Sequence, residues 1–120
     1  MALASGTKSE PAMSERPILA ETRTPEGTRV VLFEDTWLRH ILLPQQGHPE
    51  LEPYLAVVLG VLPDPDHREP DPRPLRERFF KQDVGPSKWL MVVVDSEKEP
   101  PRIVTALGYG HGESPSGWTT

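Results

Sequence analysis

Six consecutive apolar residues, Trp89-Leu90-Met91-Val92-Val93-Val94, constrain this chain more than any other segment. Their β-branched and aromatic content predicts a strand. Side chains alternate between the two faces of a strand, so an unbroken apolar run predicts burial on both faces. Such a strand belongs in the interior of a sheet. Candidate neighbours flank it, Leu75 to Lys81 before and Ile103 to Tyr109 after. Short turns connect them, Asp83-Val84-Gly85-Pro86-Ser87 on one side and Lys98-Glu99-Pro100-Pro101 on the other. Consecutive strands joined this closely favour an antiparallel meander.

Upstream of the meander, Thr28 to Phe33 reads as a further strand. Asp35 or Thr36 then suits a helix N-cap. Trp37, Leu38, Ile41 and Leu42 follow at helical spacing, and Pro44 ends that helix. A second helix opens at His48-Pro49. Leu51, Tyr54, Leu55, Val58, Leu59 and Leu62 form its apolar stripe, and Pro63 stops it. Proline numbers 15 in 120 residues, and many cluster between Pro63 and Pro74, which predicts a stiff connection there. The expected fold is α+β, with two N-terminal helices packed on one face of a mostly antiparallel four-stranded sheet. The opposite face is left partly open. Residues 1–26 read as a flexible tail, 27–110 as a single domain and 111–120 as a second tail.

The chain has no cysteine, which excludes a disulfide scaffold and thiolate metal sites. Four scattered histidines lack metal-ligand spacing, and no phosphate loop or dinucleotide fingerprint is present. The reading therefore includes no metal and no cofactor. Without a long apolar stretch at the start, neither a signal peptide nor a membrane span is expected, and the default location is cytoplasmic.

Net charge is −5, which argues against non-specific nucleic-acid binding. The local charge differs. Arg73, Arg76, Arg78, Lys81 and Lys88 stand against only Glu77 and Asp83 in one span. Strand alternation puts Arg76, Arg78 and Phe80 on one face, and Glu77, Phe79 and Lys81 on the other. Two arginines side by side mean either a solvated edge, where charge prevents edge-to-edge association, or an anion site. Phe79 opposes both arginines and is a core candidate.

Several short motifs occur in order: Trp37-x-x-His40-Ile41, His48-Pro49-Glu50, Arg76-Glu77-Arg78-Phe79-Phe80, a Val-rich strand and Val104-Thr105-Ala106. In this order they resemble small phage- and plasmid-associated proteins of the barnase–EndoU–colicin E5/D–RelE-like nuclease superfamily. The resemblance covers roughly Gly27 to Tyr109. It implies a metal-independent, toxin-like endoribonuclease that binds RNA on its exposed sheet face. An antitoxin or immunity protein is the implied partner, and a monomer or weak homodimer the expected state. One departure is that Phe79-Phe80 stands where such proteins often have tyrosine, so no phenol serves there.

Metal-independent RNA cleavage needs a base, an acid and cations on the phosphate. His40 is the leading acid/base candidate, with His48, Arg78 and Thr105 as further catalytic candidates. Arg76, Lys81 and Lys88 are candidate phosphate contacts. Each has a plainer reading: His40 as a helix-surface side chain, His48 as a turn residue, Thr105 as an ordinary strand former. His67 and His111 fall in loop-like segments and read as surface residues. The alternative function is a non-enzymatic protein- or RNA-binding module of the same fold.

Overall fold

The computed structural model describes residues 16–43, 47–84 and 88–109. Two strands come first, β1 (Ile18–Arg23) and β2 (Arg29–Phe33). Next is a helical segment made of α1 (Glu34–Thr36) and a π-helical turn (Trp37–Ile41). A 3-10 helix (Pro49–Tyr54) then runs into α2 (Leu55–Val61). Four strands complete the domain: β3 (His67–Pro70), β4 (Arg76–Gln82), β5 (Trp89–Asp95) and β6 (Arg102–Tyr109).

All six strands form one sheet in the order β1-β2-β6-β5-β4-β3. The apolar strand β5 lies inside it, antiparallel to β4 and β6. Both of its faces are buried, as an unbroken apolar run demands. Leu90, Val92 and Val94 meet the helical layer together with Phe79, Ile103 and Ala106. From that layer come Trp37, Ile41, Leu51, Val58, Val61 and Leu62. Trp89 and Val93 are buried on the opposite face, as are Val31 and Phe80. Each such side chain contributes about 1.5–3 kcal/mol of transfer free energy, so β5 and its neighbours dominate the stability of the domain.

The expected four-stranded antiparallel sheet with two N-terminal helices is overturned. The sheet has six strands and is mixed, because β2 runs parallel to β6. Two strands precede the helical segments, and those segments are short. Both added strands lie at sheet edges, where burial is slight and the apolar signal weak. β1 falls in the stretch read as a tail; its residues are exposed or half-buried, and it is held by backbone pairing to β2. Thr22 adds a bond from Oγ1 to the Leu59 carbonyl at 2.8 Å. β3 falls within the proline-rich connection. Its proline, Pro70, stands at the strand end of a sheet edge, where a missing N–H breaks no ladder.

The second helix keeps its apolar stripe but not its regularity. Pro53 lies inside it, has no N–H and clashes with the carbonyl four residues back. The first six residues accordingly wind as 3-10 helix, and α-helix starts only at Leu55. The anticipated tails at 1–15 and 111–120, His111, Pro44 and the turn residues Gly85-Pro86-Ser87 lie outside the described residues.

Candidate nucleic-acid interface

Strand alternation sends Phe79 into the core and turns Arg76, Arg78 and Phe80 to the face away from the helices. Register then sets their neighbours. Glu69, Arg78, Val93 and Thr105 form one row across β3, β4, β5 and β6. Arg76, Asp95 and Arg102 form the adjoining row. A third row holds His67, Phe80, Met91 and Leu107. Thr105 thus shares a face with Arg78, two strands away, or about 10 Å at the usual strand spacing.

Carboxylates separate the guanidiniums on this face. Arg78 donates from Nε to Asp71 Oδ1 at 2.8 Å, and its Nη1 lies 3.6 Å from Glu69 Oε2. Arg76 donates from Nε to Asp95 Oδ2 at 3.1 Å. Arg102 donates to the Pro100 carbonyl and lies over the Phe33 ring at 5.0 Å. The side chains of Arg76, Arg78, Asp71 and Asp95 are 24, 28, 13 and 15% exposed, so water screens these pairs only in part.

Asp71 is held below the ordinary aspartate value by the Arg73 backbone N–H and, against the opposing effect of burial, by Arg78. Asp95 is lowered in the same sense by the Glu97 N–H and then by Arg76. A carboxyl whose folded value is depressed contributes stability above its unfolded value, near pH 4, and loses it as pH falls through the folded one. The urea midpoint should therefore drop between about pH 4 and pH 2. Asp71→Asn with Asp95→Asn should make that drop shallower, and an unchanged slope in the double variant would exclude these two groups as its source.

Concave surface gathers at one end of the arginine row. A cleft of about 260 Å³ is lined by Arg76, Asp95, Glu97, Lys98 and Arg102. A second cleft, of about 370 Å³, is lined by Pro70, Leu75, Arg76, Glu77 and Ser96. Leu75 enters it at a φ of 64° and is 63% exposed. A leucine held in the left-handed region carries strain of about 1–2 kcal/mol, and the turn imposes it where β4 begins.

Other candidates stand apart from this face. Lys81 points to the helical side and bonds the Asp64 carbonyl at 2.7 Å and carboxylate at 3.0 Å. Lys88 is exposed and paired with Asp83 at 3.3 Å. His48 sits before the 3-10 helix, with Nδ1 3.2 Å from Glu50. His40 is exposed on the π-helical turn, whose Trp37 and Ile41 enter the helical-side core, across the sheet from Arg76 and Arg78. Single π turns are common at functional sites, which keeps His40 of interest without joining it to the arginines.

Two residues join the face that the sequence did not single out. Arg102 is brought there by pairing with Asp95 across the short β5–β6 connection, and its place in the Arg76 row depends on the register of β4 with β5 as well. His67 enters because its segment pairs with β4 as an edge strand. Its signal was the alternation His67-x-Glu69 beside the basic strand, obscured by the surrounding prolines.

No protein-family model, curated protein or solved structure matches this chain. The fold and the face define an α+β domain with a mixed sheet whose face away from the helices carries half-buried arginines beside buried apolar side chains. Among the described residues no helix is long and apolar enough to cross a membrane.

Proposed function

We propose that the domain is a metal-independent endoribonuclease that takes RNA along the half-buried arginine rows on the sheet face away from the helices. The observation that carries this reading is the placement of Arg76, Arg78, Arg102 and Thr105 on one face. Guanidinium forks match phosphate oxygens, and rows about 7 Å apart, two residues along β4, let neighbouring arginines engage one strand of RNA. The sequence resemblance supplies the reaction class: attack of a ribose 2′-hydroxyl on its own 3′-phosphate. Arg78 is the central phosphate contact, with Arg76 and Arg102 beside it. Asp71, Glu69 and Asp95 bring the face close to neutral, so phosphate must displace ion pairs, and affinity is modest and salt-sensitive.

The test uses purified protein with total RNA and tRNA in EDTA, beside Arg78→Ala and His40→Ala. Wild type should cut, and Arg78→Ala should slow cutting by about 100-fold or more, the scale of losing one transition-state charge contact. RNA left equally intact by wild type and both variants would defeat the enzymatic reading.

One observation favours a second reading, a non-enzymatic RNA- or protein-binding module: Arg78 and Arg76 are already held by carboxylates. RNA retention without cleavage would support it. Expression alone separates the two as well. A toxin arrests growth unless an antitoxin or immunity protein is supplied, whereas a binding module is harmless.

A further inference from the structure

Three clefts meet at Arg76. Beside the one shared with Glu97, Lys98 and Arg102 lies another of about 260 Å³, to which Arg73 contributes. Together these two set four cations, Arg73, Arg76, Lys98 and Arg102, against the carboxylates of Asp95 and Glu97, in a chain of net charge −5. Asp95 is engaged at both oxygens: Oδ2 accepts from Arg76 Nε at 3.1 Å, and Oδ1 accepts from the Glu97 N–H at 2.7 Å. Arg102 is half-buried and fixed by neutral groups. Its Nε and Nη2 donate to the Pro100 carbonyl at 3.3 and 3.1 Å, and its guanidinium lies over the Phe33 ring. A guanidinium has five N–H donors in a fixed fork, and that carbonyl takes up two of them. Lys98 adds an ammonium on an exposed stem in the turn between β5 and β6.

We infer that the cleft between Arg76, Lys98 and Arg102 holds the phosphate next to the one that is cut. The inference rests on the ribonuclease reading above and narrows its substrate to RNA with at least two consecutive phosphates. Arg76 stands two residues from Arg78 on β4, about 7 Å along the strand. RNA carries one phosphate per nucleotide, so a strand held at Arg78 presents its neighbouring phosphate to the Arg76 row. The cleft, at about 260 Å³, falls below the range of about 300–1,000 Å³ that encloses a drug-sized ligand. It suits a single phosphate group rather than a whole nucleotide. Arg76 gives Asp95 its Nε, so its Nη donors remain for phosphate oxygens. Arg102 brings a charge already fixed by Pro100 and Phe33, which lowers the ordering cost of binding. Lys98 closes on the phosphate as a point charge. No bond forms or breaks in this cleft. It adds affinity and sets the register of the strand, so that the cleaved phosphate lies at Arg78.

The experiment compares short RNA substrates in EDTA: a dinucleotide with one cleavable linkage, and two trinucleotides that add a phosphate on its 5′ or its 3′ side. A 2′-deoxy sugar at the added linkage confines cutting to the same bond. One of the trinucleotides should show a kcat/KM about 10- to 100-fold above that of the dinucleotide, the scale of a hydrogen bond to a charged group. Replacing the added phosphate with a neutral methylphosphonate should abolish the gain. The ratio of trinucleotide to dinucleotide rates should also fall toward one in Arg102→Gln and in Lys98→Ala, the latter an exposed position remote from the core. Equal rates for all the substrates, or a gain that survives both substitutions, would overturn this inference and leave the ribonuclease reading standing. RNA left intact by wild type would bring down both.

Discussion

Phe79→Ala should destabilise the domain by about 3–5 kcal/mol, the range for removing a buried phenylalanine. The ring is 1% exposed and pairs in register with Val92 of β5. It belongs to the cluster that joins the sheet to Trp37, Ile41 and α2. Arg68 also lies over it at 4.6 Å, held there by Glu77 and Glu26. Truncation therefore leaves a cavity between two layers and removes the surface on which the guanidinium rests. Against a typical total of about 5–15 kcal/mol, that is a large share. Urea denaturation followed by circular dichroism gives the measurement, with the slope expected to hold and the midpoint to fall. A loss below about 1 kcal/mol would mean that the face assignment of β4 is reversed, and the arginine face would go with it.

Gly47→Ala should also be severe, for a different reason. A Cβ at this position would lie 2.5 Å from the carbonyl oxygens of His40 and Ile41 and 2.9 Å from the Leu43 nitrogen. All three are backbone atoms, so no side chain can rotate aside. Gly47 donates to the Leu43 carbonyl at 2.7 Å, and the next residue, His48, donates to Ile41. The turn thereby closes the π-helical segment onto the 3-10 helix. Relieving the clash moves buried Ile41 or Leu51, at a cost of about 1–3 kcal/mol or more. Gly60→Ala is the contrasting variant. It lies exposed in α2 with nothing within 4 Å of the added carbon, so helix propensity should stabilise it by about 0.5–1 kcal/mol. Thermal melts of the two variants should move in opposite directions, and a shared direction would refute the turn geometry.

Much of the meander was legible. Trp89 to Val94 carried its own evidence, since only an interior strand hides both faces of such a run. The split of Arg76 and Arg78 from Phe79 followed from alternation, a local property. The helical stripe from Leu51 to Leu62 was also readable, although Pro53 changed the winding of its first half. The edge strands were not. Ile18 to Arg23 buries little and His67 to Pro70 sits among prolines, so each owes its conformation to the backbone groups of a neighbour. Helices counted as the first layer consequently gave way to a sheet that begins before them.

Lys81 shows the same limit within the candidate site. Its sequence neighbourhood makes it one of five cations in a basic span, yet it points across the sheet and is engaged by Asp64. Arg102 shows the converse, a residue far along the chain that pairing with Asp95 sets beside Arg76. By itself the sequence determined the central strand, its faces and the identity of the two arginines, because hydrophobic pattern and strand period act over a few residues. Only the tertiary structure decided the six-stranded mixed sheet, the parallel seam between β2 and β6, and the meeting of His67 and Glu69 with Arg78. Those depend on strand order and register, which are settled by backbone pairing between segments, near in the chain for β3 and β4 and distant for β2 and β6.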